Sequence, residues 1–365
     1  MSNLFKQAAF GLDLSDLSIK IARLKKEREG IVLAGYGREE IPEGVIVNGE
    51  IKSEDSLVSA IQKSLKSIKG LSLKTNQCVV SLPEVEAFVR VIQLPQMKEK
   101  ELGEAIKWET ENYIPLPIDV VYFDWQIVQP IKQTSGHCDV LVGALNKKLV
   151  DSYLAVLKKA GLQPLVFEIE SIATARALIK DTFSFNPLII IDIGAKRSSF
   201  IIFSGRTIHF TSSLPIANDY FVQEISKHLK ISREQAKEMK IQYGLSREKG
   251  IYEALQPAIN ELVGQIKKYI DFCREHCLPG HYENKEVSKI VLCGGGANFA
   301  GLSDFLSQEL KIAVEIGNPW INLLSKQPQD VPELPYELSI GYATALGLAL
   351  RGLEMPGNNL IGSSL

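Results

Sequence analysis

Two aspartates occupy matching positions at the ends of apolar, strand-like runs. Asp13 follows the run at residues 10–12, and Asp192 follows the run at residues 188–191. Each is followed by a small polar turn and a second strand-like run. Aspartate is a favoured turn residue, so either one alone would most simply begin a turn. Because the β-turn-β pattern occurs twice, we interpret the pair as a duplicated binding element.

This pair of turns has the chemistry needed to hold phosphate groups. Backbone N–H groups in a turn can bind phosphate oxygens. An aspartate at the strand end can hold Mg²⁺, usually through water, because Mg²⁺ keeps much of its hydration shell. Lys20 lies on the strand that returns from the first turn, where its ammonium could act on the same phosphates as a point charge. Two facing turns could therefore clamp a triphosphate.

A glycine triplet, Gly294, Gly295 and Gly296, provides a third element. It lies between a predicted buried strand and a predicted helix. Glycine permits close approach of the backbone to a ligand, and a helix start favours anions. Alone, the triplet is equally consistent with a tight turn. Together with the two aspartate turns, it predicts a nucleoside-binding loop.

The elements that must position these residues form two repeated halves with an insert between them. The insert, residues 84–164, has its own α+β pattern, and the β-turn-β pattern resumes near residue 186. The apolar spacing predicts pairs of strands joined by a polar turn at 10–24 and 187–204, and strands at 31–46, 78–82, 87–93, 120–128, 138–145, 164–169 and 288–293. It predicts helices at 55–68, 98–113, 147–160, 171–179, 220–243, 251–277, 301–311 and 341–352.

Composition excludes several classes of function. The 365 residues carry a net charge of -2, with 45% hydrophobic and 23% charged residues, so no bulk field attracts nucleic acid. No apolar run approaches the roughly 18 residues of a membrane span, and the start lacks the pattern of a secretion signal. Five scattered cysteines indicate reduced thiols. These features predict a cytoplasmic protein that reaches a membrane only through partners.

Three segments carry a resemblance to a known superfamily. DLSDLSIK, IIIDIGAKRSS and IVLCGGGANFAGL, in this order, resemble the first phosphate loop, the second phosphate loop and the adenosine loop of the actin-like ATPases. The insert segment WETENYIPLP, with Gly317-Asn318-Pro319 and the closing GYATALGLALRG, is similar to the PilM family, the cytoplasmic actin-like proteins of type IV pilus machines. The division protein FtsA is another relative with a similar insert.

The resemblance implies an α/β, actin-like two-lobe ATPase fold with an inserted α+β subdomain in the first lobe. It places the first lobe at 1–83, 165–185 and 336–365, the insert at 84–164, and the second lobe at 186–335 with a helical subdomain at 220–285. It also implies ATP and Mg²⁺ as cofactors.

The resemblance further implies a role for each candidate residue. Asp13 and Asp192 would flank the Mg²⁺, mainly through water, and Glu170 would orient a water molecule, although a plain helix-start glutamate is equally consistent with its position. The remaining nucleotide-binding candidates are Ser15 in the first turn, Lys20 on the phosphates, Gly194 and Ser198 in the second turn, Gly294, Gly295 and Gly296 at the adenosine, and Lys240 near the nucleoside.

Two departures from the superfamily pattern affect the expected rate of ATP hydrolysis. Ser15 replaces a glycine, and Asp16 puts a carboxylate where a phosphate would approach, so two anions would repel unless a cation intervenes. Lys237 stands where a glutamate often pairs with the ribose. We therefore expect ATP binding with slow or absent hydrolysis.

The resemblance to PilM implies an adaptor function. The chain would bind the cytoplasmic N-terminus of PilN in a groove between the insert and the first lobe, join the PilN/PilO inner-membrane complex, and couple it to the pilus motor ATPases. The pilus could serve twitching motility, adhesion or DNA uptake. Two alternatives are an FtsA-like division scaffold and a metabolite kinase. The first fits poorly, because residues 355–365 lack the basic residues of an amphipathic anchor.

Two further patterns have simpler explanations than a ligand site. Cys273, His276, Cys277 and His281 are possible zinc ligands, but their spacing favours a buried helix face. The apolar side of the helix predicted at 98–113 is most simply core, with a partner-peptide groove as the alternative.

Overall fold

The computed structural model describes residues 8–114, 116–132, 136–278, 280–324 and 331–354. The predicted tail 355–365 lies outside these ranges. In chain order the strands are β1 (Phe10–Leu14), β2 (Ser18–Lys26), β3 (Ile31–Glu40), β4 (Ile46–Val47), β5 (Glu50–Ile51), β6 (Lys69–Gly70), β7 (Gln77–Leu82), β8 (Ala87–Pro95), β9 (Val121–Val128), β10 (His137–Asn146), β11 (Gln163–Ile169), β12 (Ser184–Ile193), β13 (Ser198–Gly205), β14 (Thr207–Leu214), β15 (Lys289–Cys293) and β16 (Ala313–Ile316).

The helices cover the two faces of the larger sheets. They are α1 (Glu54–Lys66), α2 (Glu99–Glu111), α3 (Lys147–Lys159), α4 (Glu170–Leu178), α5 (Asn218–Leu229), α6 (Arg233–Tyr243), α7 (Ile251–His276), α8 (Leu302–Leu310), α9 (Tyr336–Ser339) and α10 (Ala343–Glu354). Among the residues that the structure describes, no helix has both the length and the hydropathy required to cross a membrane.

The first lobe is built on a six-stranded sheet with the strand order β11-β7-β1-β2-β3-β6. Strands β1 and β2 form an antiparallel hairpin, and β1 pairs in parallel with β7. Strand β1 is buried along its whole length, and β7 is buried at five of its six residues, which shows that both faces of the sheet are covered at its centre. Helix α10, in which nine residues are buried, packs against β1 and α4, so the closing apolar segment completes the core of this lobe.

The second lobe and the insert share one sheet of eight strands, in the order β16-β15-β12-β13-β14-β8-β10-β9. The chain enters the insert from β7 of the first lobe and returns to that lobe through β11. However, β8 pairs antiparallel with β14 at Arg90 and Phe210. The sequence pattern placed the insert inside the first lobe and gave no sign of this second connection, because pairing between distant strands leaves no local signature.

The prediction of a single helix at 220–243 is wrong, since the structure has two helices there. Helix α5 ends at Lys230, which adopts the left-handed conformation with φ +53°. Helix α6 begins after Ser232, whose hydroxyl accepts the Gln235 N–H while the Gln235 side chain accepts the Ser232 N–H. This capping box specifies a new helix start, and it could have been recognised in the sequence as Ser-x-x-Gln.

A buried polar cluster joins the insert to the second lobe. The Nε2 atom of His281 lies 2.7 Å from Oδ2 of Asp139 on β10, and the Gln93 amide donates to the other oxygen at 3.0 Å. His209 on β14 contacts the His281 ring edge-on at 5.2 Å between centroids. Burial lowers the pKa of His209 to about 3; the neighbouring His281 adds to this shift, and Asp139 opposes it.

His209 should make the protein acid-sensitive. Its folded pKa lies below its unfolded value of about 6.5, so the unfolded chain binds the extra proton first. The contribution of neutral His209 to the free energy of unfolding is fully present above pH 6.5 and is lost as the pH falls toward 3. At pH 5 the loss amounts to about 2 kcal/mol. Thermal melts from pH 7.5 to 5 should show this loss. It should shrink in His209→Phe and persist in His228→Gln, a change at an exposed helix position.

The cysteine and histidine residues considered for zinc are divided between two environments. Cys273 and Cys277 are buried at the end of α7, as the helix-face interpretation predicted, and His281 is engaged with Asp139. Within the described residues, no group of three or more His, Cys, Asp and Glu side chains is arranged to hold a metal ion.

Candidate functional site

A cavity of about 300 Å³ opens between the two lobes. Its walls are the turn after β1, the turn after β12, the glycine loop after β15, and the segment leading into α10. Eight of the predicted site residues line it: Asp13, Ser15, Lys20, Glu170, Asp192, Gly194, Gly294 and Gly295. Three predicted residues do not line it: Ser198, Lys240 and Gly296.

The β1–β2 hairpin brings a carboxylate and an ammonium together at the cavity wall. Asp13 and Lys20 are direct partners in the antiparallel register, and Lys20 Nζ lies 3.1 Å from Asp13 Oδ2. The other carboxylate oxygen accepts a hydrogen bond from the Ser81 hydroxyl on β7 at 3.1 Å. Asp13 is only 4% exposed, so its orientation is fixed by these two contacts.

Asp192 faces this pair from the second lobe. It is the next-to-last residue of β12 and lies opposite Cys293 in the parallel register with β15. Burial raises the pKa of Asp192 to about 6, with Lys20 opposing the shift and Asp13 adding to it. Asp13, Lys20 and Asp192 therefore interact electrostatically across the cavity, as two carboxylates with one ammonium.

The three glycines of the loop have different environments. Gly294 has φ +84°, and a Cβ there would lie 2.2 Å from Oδ1 of Asp192. A Cβ on Gly296 would lie 2.5 Å from the Ile193 side chain. Gly295 has no atom within 4 Å of that position and lines the cavity. Gly294 and Gly296 are thus required for packing, whereas Gly295 leaves open space on the cavity side.

The second turn is held against the start of helix α5. The Gly194 N–H donates to the Arg197 carbonyl at 3.0 Å, and the Asn218 N–H donates to the Gly194 carbonyl at 3.1 Å. The Ser198 hydroxyl donates to the Ile216 carbonyl and is buried. Ser198 therefore supports the turn from behind, while Gly194 is at the cavity surface.

Lys240 lies behind the glycine loop. Its ammonium stacks on the Phe299 ring, 4.6 Å from the centroid, and burial lowers the pKa of Lys240 to about 8. Lys237, on the same helix α6, is exposed. Neither lysine lines the cavity.

The carboxylate of Asp16 has its own backbone partners. Its two oxygens accept the N–H groups of Asn48 and Gly49, each at 3.0 Å. The Ser15 hydroxyl donates to the Ser18 carbonyl at 3.0 Å, within the same turn. These hydrogen bonds stabilise the Asp16 charge, which reduces the repulsion expected between Asp16 and an incoming phosphate.

A pair of glutamates, Glu84 buried and Glu170 half-buried, lies beside Asp13. The Glu84 N–H donates to Oε2 of Glu170 at 3.3 Å, and the Ser171 N–H donates to Oε2 of Glu84 at 3.2 Å. Burial raises the pKa of Glu170 well above its ordinary value, and Asp13, Glu84 and Asp192 add to the shift. Burial also raises the pKa of Glu84. The raised pKa makes Glu170 a stronger base when it is ionised, but it lowers the fraction of ionised Glu170 that is available to accept a proton.

Several cavity residues were missed by the sequence reasoning. Glu84 lies at the neck of the insert, and nothing in its local sequence links it to Glu170. Lys196 is next to the predicted Gly194 and reaches across the cavity mouth to Glu43 of the first lobe at 2.7 Å. The further lining residues with polar side chains include Arg38, Asn298, Tyr342 and Thr344.

Comparison with known proteins places this arrangement in a family. The sequence profile of the family described as type IV pilus assembly protein PilM matches residues 11–353. The cell division protein FtsA of Streptococcus pneumoniae is 19% identical over 350 residues, covering 85% of this chain and 75% of FtsA.

Two solved structures are similar over nearly the whole chain. A structure of a PilM–PilN type IV pilus biogenesis complex superposes with a TM-score of 0.77 and 26% identity, over 96% of this chain and 100% of the other. MreB5 of Spiroplasma citri bound to ADP superposes with a TM-score of 0.52 and 13% identity, over 93% and 95% of the two chains. These matches confirm the predicted actin-like ATPase fold.

Proposed function

This chain belongs to the PilM family of type IV pilus assembly proteins, and on that basis we propose that it is a nucleotide-binding adaptor of the pilus assembly platform. The observation that carries the nucleotide part is the meeting of Asp13, Lys20 and Asp192 at one cavity between the lobes. Family membership and the similarity to a PilM–PilN complex support the adaptor part.

The cavity fits a magnesium nucleotide by the chemistry of its residues. Asp13 and Asp192 provide carboxylate oxygens, which Mg²⁺ prefers, and they would hold it mainly through water. Lys20 and the turn at Gly194 would contact the phosphates, and Gly295 would lie against the nucleoside. A bound Mg²⁺ would supply positive charge that offsets the phosphate charge. MreB5 of Spiroplasma citri, which shares the fold, binds ADP.

The site favours binding over turnover. Glu170, the candidate for orienting water, is half-buried, and its Oε2 atom already accepts the Glu84 N–H at 3.3 Å. Burial and the neighbouring carboxylates raise its pKa, which reduces the ionised fraction that is available as a general base. We therefore infer slow or absent ATP hydrolysis.

Gly295→Val should block nucleotide binding without disturbing the fold. The new side chain would project into open space at the cavity, and Gly295 does not have a left-handed φ. We expect Mg-ADP affinity measured by calorimetry to fall at least about tenfold, equivalent to about 1.4 kcal/mol. Gly264→Val is the matched control, because Gly264 on helix α7 also has open space around it. Equal loss in both variants would contradict the assignment.

The partner we propose is the cytoplasmic N-terminus of PilN, bound in a groove between the insert and the first lobe. Through it the chain would be peripheral to the inner membrane, in a complex with PilN and PilO, and would couple that complex to the motor ATPases. A fluorescently labelled peptide of the PilN N-terminus should bind saturably, and a scrambled peptide should not compete. Equal competition by the scrambled peptide would argue against this partner.

The two alternatives have less support. The family profile and the PilM–PilN structure both match nearly the whole chain, whereas FtsA matches at 19% identity. A metabolite kinase would require a carboxylate able to take a proton from a substrate hydroxyl, and the cavity carboxyl Glu170 already accepts a hydrogen bond from the Glu84 N–H. Screening small molecules for phosphorylation would test the kinase directly.

A further inference from the structure

The turn at residues 48–49 lies between the first phosphate turn and the insert. It connects the two short strands β4 and β5, and both of its residues have positive φ, +50° at Asn48 and +80° at Gly49. As described above, its two N–H groups are held by the Asp16 carboxylate at 3.0 Å each. The position of this turn is therefore set by the Asp16 side chain, which lies in the cavity wall.

The same turn is held from the other side by helix α3, which packs against α1 and β11 of the first lobe. The hydroxyl of Tyr153, on helix α3, donates to the Gly49 carbonyl at 2.8 Å. Tyr153 is 1% exposed, so the hydroxyl is committed to this bond within the core. Burial raises the pKa of Tyr153, and the carboxylates of Glu170, Asp16 and Asp13 add to the shift. The hydroxyl is thus within electrostatic reach of the cavity carboxylates.

Gly49 also packs against the neck of the insert. A Cβ at this position would lie 2.6 Å from two side-chain atoms of Pro83, the residue at which the chain leaves β7 for the insert. The turn cannot shift toward the neck without displacing Pro83. Close packing of this kind transmits displacement, because protein interiors have low compressibility.

We propose that the Asp16 carboxylate, the turn at residues 48–49 and the Tyr153 hydroxyl form a relay that transmits occupancy of the cavity to helix α3. This relay rests on the proposed nucleotide binding and names how that site regulates the helix through which the insert strand β10 rejoins the first lobe. A phosphate entering the first turn displaces or fixes Asp16, and the two backbone hydrogen bonds carry that change to Gly49 and then to Tyr153. The route lies within the first lobe and does not require the lobes to rotate.

The relay gives Asp16 a role that its position in the phosphate turn did not suggest. Asp16 is a positioning residue for the turn at residues 48–49, and Tyr153 is a positioning residue for helix α3. Communication between two sites is a coupling free energy, which commonly changes a linked equilibrium about fivefold or more. Removing one hydroxyl should abolish this coupling while both sites persist.

Hydrogen exchange of the full chain with and without saturating Mg-ADP tests the relay. In the wild type, we expect Mg-ADP to slow exchange of the α3 amides at least about fivefold. In Tyr153→Phe the slowing should fall below about twofold, with Mg-ADP binding retained by calorimetry. Tyr122→Phe is the matched control, because its hydroxyl also contacts α3, at Asp151 and 3.2 Å, but on the exposed side. Tyr122→Phe should behave as the wild type.

Hydrogen exchange measured without nucleotide tests the relay independently of nucleotide binding. In Asp16→Asn, exchange at Asn48 and Gly49 should rise, α3 exchange should rise with it, and the α3 increase should vanish in the Tyr153→Phe background. Full Mg-ADP slowing of α3 in Tyr153→Phe, or unchanged α3 exchange in Asp16→Asn, would overturn the relay while leaving the proposed function standing. Absence of Mg-ADP binding by the wild type would overturn the proposed function, and the relay with it.

Discussion

Asp13→Asn is expected to weaken Mg-ATP binding on the order of 100-fold, about 2.8 kcal/mol. The substitution keeps the shape of the side chain but removes the charge that pairs with Lys20 at 3.1 Å and, in our proposal, holds Mg²⁺ through water. The fold should persist, since the Asn oxygen can still accept the Ser81 hydroxyl and Lys20 keeps its attraction to Asp192. Calorimetry would measure the affinity, and thermal melts would confirm folding.

The control for this prediction is the same substitution at an exposed helical aspartate. Asp271 on α7 pairs with Arg274 at the surface, far along the sequence from both phosphate turns. Asp271→Asn should leave Mg-ATP affinity unchanged. An unchanged affinity in folded Asp13→Asn would refute the assignment of Asp13 to the magnesium nucleotide.

Arg176→Met is expected to cause the largest loss of stability, about 3–5 kcal/mol. Arg176 on α4 makes two parallel contacts with Glu168 on β11, at 2.5 and 2.6 Å, and donates to the Gly347 carbonyl of α10 at 3.1 Å. Its loss leaves a buried carboxylate without its cation, in the core that joins three elements of the first lobe. Thermal and urea denaturation would measure the change.

The double variant identifies the cause of that loss. If the unpaired Glu168 is responsible, Arg176→Met combined with Glu168→Met should be more stable than Arg176→Met alone, because removing both partners removes the uncompensated charge. A double variant that is less stable than the single one would show that packing of the Arg176 side chain matters more than its charge.

Local sequence patterns predicted the parts of the site that a hairpin or a single loop builds. A tight turn between β1 and β2 fixes the register that places Lys20 beside Asp13, so the pair could be anticipated from their spacing alone. The same holds for Asp192 and Gly194 at the end of β12, and for the glycine loop after β15. The alternation of these elements with apolar helices also predicted the α/β architecture.

The parts that remained unpredicted depend on contacts between distant segments. Glu84 meets Glu170, and Tyr153 meets Gly49, only once segments far apart in the chain have folded against each other. The pairing of β8 with β14 likewise depends on the arrangement of whole lobes. Neither Ser198 nor Lys240 lines the cavity, because the Ile216 carbonyl and the Phe299 ring determine where their side chains lie.

The most direct test of the adaptor account is a titration of the PilN N-terminal peptide into this protein, with and without saturating Mg-ATP. The account predicts saturable binding in both conditions, with an affinity that Mg-ATP changes at least about fivefold, and no such change in Asp13→Asn. Absence of peptide binding by the folded protein, or an affinity that is the same with and without Mg-ATP, would contradict the claim that the cavity and the partner site act together.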